Sequence, residues 1–175
     1  VEEVDLVLDP PYDTFGPLQA ADSFARYGTY LESHGDQLTD YSQFFLEIGS
    51  RVTAIEYARA LGLVDRLKAR FADLFEKYDL LLSPTACSPA PVDFEFPGPM
   101  SGKTAYPEQY WNGAFTLPIN TIGHPAATIP AGFSSDGLPI GLHIVGNKGG
   151  EETVIAASAA FERERPWAKH RPPGS

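Results

Sequence analysis

Cysteine is nearly absent from this 175-residue chain. The single residue, Cys87, can close no internal disulfide and can build no thiolate metal site by itself, which points to reducing, cytoplasmic surroundings. A free cysteine is most often buried, so Cys87 is read as a packing residue rather than a nucleophile. Long apolar runs are missing as well. None exceeds five residues, against the roughly 20 that span a bilayer, so no membrane partner is expected. Basic residues are few, 13 Lys and Arg against 23 Asp and Glu, for a net charge of −10. That balance excludes the basic face a nucleic-acid partner requires. The densest basic stretch, Arg163 to Arg171, closes a helix whose dipole favours cations there. Four histidines, His34, His124, His143 and His170, are scattered without ligand spacing, so neither a metal nor another cofactor is expected. No phosphate-binding glycine pattern occurs. Asn147 to Gly150 comes nearest and reads as a turn and helix cap. Methionine occurs once, at Met100, and the chain opens directly on a strand-like segment, the pattern expected of a piece of a longer protein.

What is present reads as one α/β domain. Glu2 to Asp9 alternates, with Val4, Leu6 and Leu8 on one face and Glu3, Asp5 and Val7 on the other, the pattern of a half-buried strand. Helical spacing follows from Leu18 through Ala21, Phe24, Ala25 and Leu31. Asp36 is placed to cap a second helix carrying Leu38, Tyr41, Phe45 and Ile48. Thr53-Ala54-Ile55-Glu56 has the capping-box pattern, and a long apolar stripe from Ile55 to Tyr78 runs behind it, with Gly62 a candidate bend. Asp79 to Ser83 reads as a short strand. Residues 83–150 hold ten of the sixteen prolines and ten of the sixteen glycines, a density that predicts shaped loops rather than packed helices. Within them, Ala127 to Ile129 and Ile140 to Val145 read as strands joined by a turn at Ser134 to Gly137. Glu151 to Glu164 closes the chain as a helix, acids at its start and arginines at its end.

Several motifs stand in one order. Asp79-Leu80-Leu81-Leu82-Ser83-Pro84-Thr85 comes first, then Thr116-Leu117-Pro118-Ile119-Asn120 and Gly123-His124-Pro125-Ala126. Pro130-Ala131-Gly132, Gly137-Leu138-Pro139-Ile140-Gly141 and Glu162 to Trp167 complete the set. Together they resemble the C-terminal third of the amidase signature family. The opening Val1-Glu2-Glu3-Val4-Asp5-Leu6 resembles that family's mid-chain strand. The resemblance implies a partial mixed β-sheet flanked by helices, and an enzyme that cleaves amide bonds with a serine nucleophile, a bridging serine in a cis peptide and a lysine base. It places those three residues in a Gly/Ser-rich N-terminal core, so no catalytic residue is expected among the present ones. The pair Ser134-Ser135 sits in a turn without the Gly-Gly setting and is not their equivalent.

The resemblance also bears on the substrate. In the family's glutamine-using amidotransferases, an arginine grips the substrate carboxylate and an acidic residue grips its amino group. The matching positions here hold Phe45 and Gly113. With Tyr41 and Trp111 near by in the motif order, and Thr116 and Ile119 at positions that line the family's acyl channel, the expected substrate is a small neutral or aromatic amide. The expected partner is the N-terminal portion of the same protein, or a second copy covering the open sheet. The alternative is a binding or scaffold module that kept this half of the fold without its chemistry.

Overall fold

The structure, a computed structural model, describes residues 1–9, 11–90 and 113–169. Trp111 lies outside the described residues. Helices come first: α1 (Pro11–Tyr27), α2 (Thr29–Ser33), α3 (Asp40–Arg51) and α4 (Ala54–Phe75). The first begins well before Leu18 and runs through Pro17. A proline there removes one helical hydrogen bond, and the helix holds because it packs against both α3 and α4, with Ala20 fully buried.

The cap of α3 is Thr39, not Asp36. Its Oγ1 accepts the Ser42 N–H at 3.3 Å, while Asp36 lies in a separate 3₁₀ turn, Gly35–Gln37. Thr39 is the extended residue directly before the first helical turn, which is where a side-chain oxygen reaches the free amides. The buried face of α3 is also offset from the expected one. Leu46 and Gly49 are buried, whereas Tyr41 and Ile48 are exposed. A Cβ at Gly49 would come 2.1 Å from the Ala20 carbonyl oxygen, so the α1–α3 approach depends on glycine there.

The capping box of α4 is fully formed. Thr53 Oγ1 accepts from Glu56 N at 3.2 Å, and the Glu56 carboxylate accepts from Thr53 N at 2.8 Å. Those bonds, the backbone one foremost, hold the Glu56 carboxyl below its usual pKa. Val64, Leu67, Phe71, Leu74 and Phe75 face the core, but Ile55 at the helix start does not. Gly62 produces no break, since it lies on the open side of a continuous helix.

Three strands form the sheet: β1 (Leu80–Pro84), β2 (Ala126–Phe133) and β3 (Pro139–Gly146), in the order β1-β3-β2. The α/β class stands, and every strand pair among the described residues is antiparallel, where a mixed sheet was expected. Alternation divides the sheet residues between two faces. On one, Leu81 and Val145 join Leu67, Phe71, Leu74 and Phe75 of α4 in the main core. On the other, Ile129 and Ile144 pack against Val154 and Phe161 of the last helix.

Residues 1–9 alternate in burial as expected, and Val4, Leu6 and Leu8 pack on the main core. They form no strand, however, because among the described residues none runs beside them to complete a ladder. No helix of the described residues is long and apolar enough to cross a membrane.

Candidate functional site

The motif-bearing stretch after Gly113 folds into a short helix, α5 (Leu117–Ile122), where the glycine and proline density predicts a loop. The Gly113 carbonyl accepts the N–H groups of Thr116 and Leu117 at 3.1 and 2.8 Å, and the Thr116 hydroxyl at 3.4 Å. Pro118 suits the first turn, where its missing N–H costs nothing. Gly123, left-handed at φ 71°, ends the helix by donating to Ile119 at 2.9 Å. Helix α5 thereby sends Ile119 and Ile122 into the main core, Ile119 at 3% exposure, and leaves Asn120 exposed. Gly113 and Thr116 are half-buried at its start.

The Gly123-His124-Pro125 corner is pinned from two sides. His124 donates from Nδ1 to the Gly146 carbonyl at 2.9 Å, and the Pro125 carbonyl accepts the Gly146 N–H at 2.9 Å. The His124 ring stacks on Phe75, centroids 5.2 Å apart. This histidine therefore holds the corner against β3 and α4.

Tyr41 and Phe45 lie one turn apart on α3 and stack, with ring centroids at 5.9 Å and an interplanar angle of 24°. Helices α3 and α5 both pack on α1. Tyr41 and Phe45 thus lie on one neighbour of α1, and Ile119 lies on the other with Thr116 and Gly113 just before it.

Sequence reasoning missed a polar arrangement on the sheet. Ser83, His143 and Thr128 are strand partners in one row across β1, β3 and β2. His143 is buried, its Nδ1 3.4 Å from Ser83 Oγ, and burial lowers its pKa, so the ring is held neutral. Beside this row, Thr85 Oγ1 and Thr128 Oγ1 meet at 2.6 Å over Gly141, where a Cβ would come 2.6 Å from both oxygens. A cavity of about 700 Å³ opens there, lined by Thr85, Cys87, Thr128, Pro130, Ile140 and Gly141. Cys87, expected in the interior, is exposed. The segment carrying it leaves the sheet at Pro84 and enters no core cluster. Among the described residues, no group of three or more His, Cys, Asp or Glu is placed to hold a metal ion.

The family model for Amidase matches residues 14–155, most of the chain. The chain belongs to the amidase family. This amidase chain is 36% identical to a glutamyl-tRNA(Gln) amidotransferase component from Granulibacter bethesdensis, aligned over 92% of the chain and 35% of the relative. It is 32% identical to an acylamidase of Rhodococcus erythropolis, over 82% of the chain and 30% of the relative. Among solved structures, a bacterial aryl acylamidase of the amidase signature family superimposes with a TM-score of 0.70 at 26% identity, covering 93% of this chain and 36% of that one. A 6-aminohexanoate cyclic dimer hydrolase gives a TM-score of 0.74 at 26% identity, covering 97% and 37%. The amidase chain spans about a third of the length of the curated relatives it matches.

Proposed function

We propose that this amidase chain is one part of a hydrolase that cleaves the carbon–nitrogen bond of small neutral or aromatic amides, and that its contribution is a wall of the acyl pocket. The serine nucleophile, bridging serine and lysine base belong to a portion outside these residues, and that portion is the partner the chain packs against. The observation that carries the substrate class is the Tyr41–Phe45 stack on α3, and the family resemblance aligns Phe45 with the arginine that grips the carboxylate in the family's glutamine-using amidotransferases. The same resemblance aligns Gly113 with the acidic residue that grips the amino group. A free glutamine would enter such a pocket with both charges unmet, and a buried charge without a partner is far costlier than a lost neutral hydrogen bond. An aromatic or neutral acyl group meets apolar surface instead. Thr116 supplies a hydroxyl beside it, and Ile119 stiffens the wall from the core side.

The test is a substrate series on the intact polypeptide that carries this chain. With acetanilide, benzamide and glutamine compared, kcat/KM for the aromatic amides should exceed that for glutamine by at least tenfold. Preference for glutamine would overturn the substrate class, and no hydrolysis of any amide would overturn the reading as a hydrolase.

A further inference from the structure

We propose that the cavity over Gly141 is a binding site for a neutral aromatic molecule carrying a carbonyl oxygen, separate from the acyl wall. The proposal stands on the cavity's own lining and not on the substrate class above. None of Tyr41, Phe45, Gly113, Thr116 and Ile119 borders this space. Its floor spans the sheet. Thr128 lies on β2 and Gly141 on β3, while Thr85 directly follows β1 and donates its N–H to the Gly141 carbonyl at 3.0 Å. A floor held by strand hydrogen bonds keeps its shape before a ligand arrives. Its own hydrogen bonding points to an acceptor. Thr85 Oγ1 and Thr128 Oγ1 stand 2.6 Å apart, so one hydroxyl donates to the other. Two hydroxyls carry two hydrogens, and one of them closes the pair. The second has no acceptor among the described residues. The hydroxyl that accepts within the pair is polarised by doing so, which strengthens its own donation outward. A carbonyl oxygen is the fitting recipient.

Space and charge restrict the rest of the molecule. The volume of about 700 Å³ falls within the roughly 300–1,000 Å³ of small-molecule pockets. Pro130, Pro139 and Ile140 give it apolar walls. No lining residue carries a charge, and the chain as a whole stands at −10. A carboxylate or an ammonium group would lose water there without gaining a partner, which is costly. An aromatic ring buries a large area against such walls and, being rigid, loses little freedom in doing so.

Cys87, exposed and bordering the cavity, supplies the readout. Its alkylation by N-ethylmaleimide is followed on the Cys87 peptide by mass spectrometry, in the intact polypeptide that carries this chain. Acetophenone should slow the reaction at least fivefold, with a saturable dose dependence. Benzoate, which is charged, and ethylbenzene, which lacks the oxygen, should slow it less than twofold. Thr85→Val combined with Thr128→Val removes both hydroxyls at constant shape, a change that can be nearly neutral for stability. That variant should erase the advantage of acetophenone over ethylbenzene, whereas Thr85→Ser with Thr128→Ser should retain it. Phe45→Ala should leave the protection intact, and its loss there would overturn the proposal by moving the ligand to the acyl wall. Equal protection by benzoate or ethylbenzene, an advantage that survives the double valine change, or a Cys87 closed to alkylation without any ligand would overturn it as well. Hydrolysis is not the readout, so a substrate series favouring glutamine sinks the functional reading and leaves this site standing.

Discussion

Two neighbouring rows on one face of the sheet are stabilised differently. In the first, Leu81 pairs with Val145, and α4 and α5 bring Phe71, Phe75, Ile119 and Ile122 against them. In the second, two residues further along the same strands, Ser83 pairs with His143 and His143 with Thr128, and hydroxyls and an imidazole replace the hydrocarbon. Strand geometry is the same in both rows, so the difference lies in what packs on them. The first row gains from area and close packing, which accumulate. The second gains from hydrogen bonds whose net worth is about 0.5–1.5 kcal/mol each, because water offers the same bonds to the unfolded chain. Its value lies in fixing which side chains meet over Gly141.

If that contrast holds, the apolar row should dominate stability. Phe71→Ala removes a fully buried ring touching both Phe75 and His124. It should cost about 3–5 kcal/mol, read from the midpoint of denaturant unfolding. A loss near 1 kcal/mol would mean the two rows are equivalent. Gly141→Ala drives a methyl between the Thr85 and Thr128 hydroxyls. It should cost about 1–3 kcal/mol by overpacking, and the double variant Gly141→Ala with Thr128→Ala, which removes one of the two oxygens, should recover part of it if the clash is with those side chains. The gentlest probe is acid. Burial holds the folded-state pKa of His143 below its unfolded value near 6.5. The unfolded chain therefore takes up the proton first. Stability contributed by this group is full above about pH 6.5 and is lost as pH falls below it, at no more than about 1.4 kcal/mol per pH unit. Unfolding midpoints measured from pH 8 to 5 should lose that component in His143→Gln. An unchanged slope would place the acid sensitivity elsewhere.

Local signals were read well from the sequence, and those that depend on a partner were not. The Thr53 to Glu56 capping box and the bounds of the last helix, α6 (Glu151–Glu164), rest on interactions within a few residues and appear where periodicity and capping place them. Asp36 has the side chain of a cap, but only a residue extended directly before the helix reaches its free amides, and that residue is Thr39. The β2–β3 turn was legible, yet a bulge between Pro130 and Gly132 shifts the register by one residue. Counting back from the turn alone would set Thr128 opposite Ile144 instead of His143, on the wrong face. The polar row was hidden for that reason, although Ser83 and Thr85 already alternate with Leu82 and Pro84. Residues 1–9 show the same limit from the other side: the alternation marks which side chains turn toward the core and become half-buried, but a ladder also needs a neighbour. That α3, which carries Tyr41 and Phe45, and α5, which carries Ile119, share α1 as a neighbour follows from helix packing, which no local pattern encodes.

The position of β1 in the chain has a consequence for assembly. Strands β2 and β3 are joined by a short turn that the Ser134 carbonyl and the Gly137 N–H close at 3.0 Å, so their pairing is a local event. Strand β1 follows α4 directly, but reaches β3 only after the whole connection from Pro84 to Pro139 has been looped out. Loop-closure entropy thus falls almost entirely on one side of the sheet. The hairpin rests on contacts near in sequence, whereas joining it to β1 carries the cost of the long closure. Leu81 and Val145, which meet at that junction, register the moment when two local pieces become one domain.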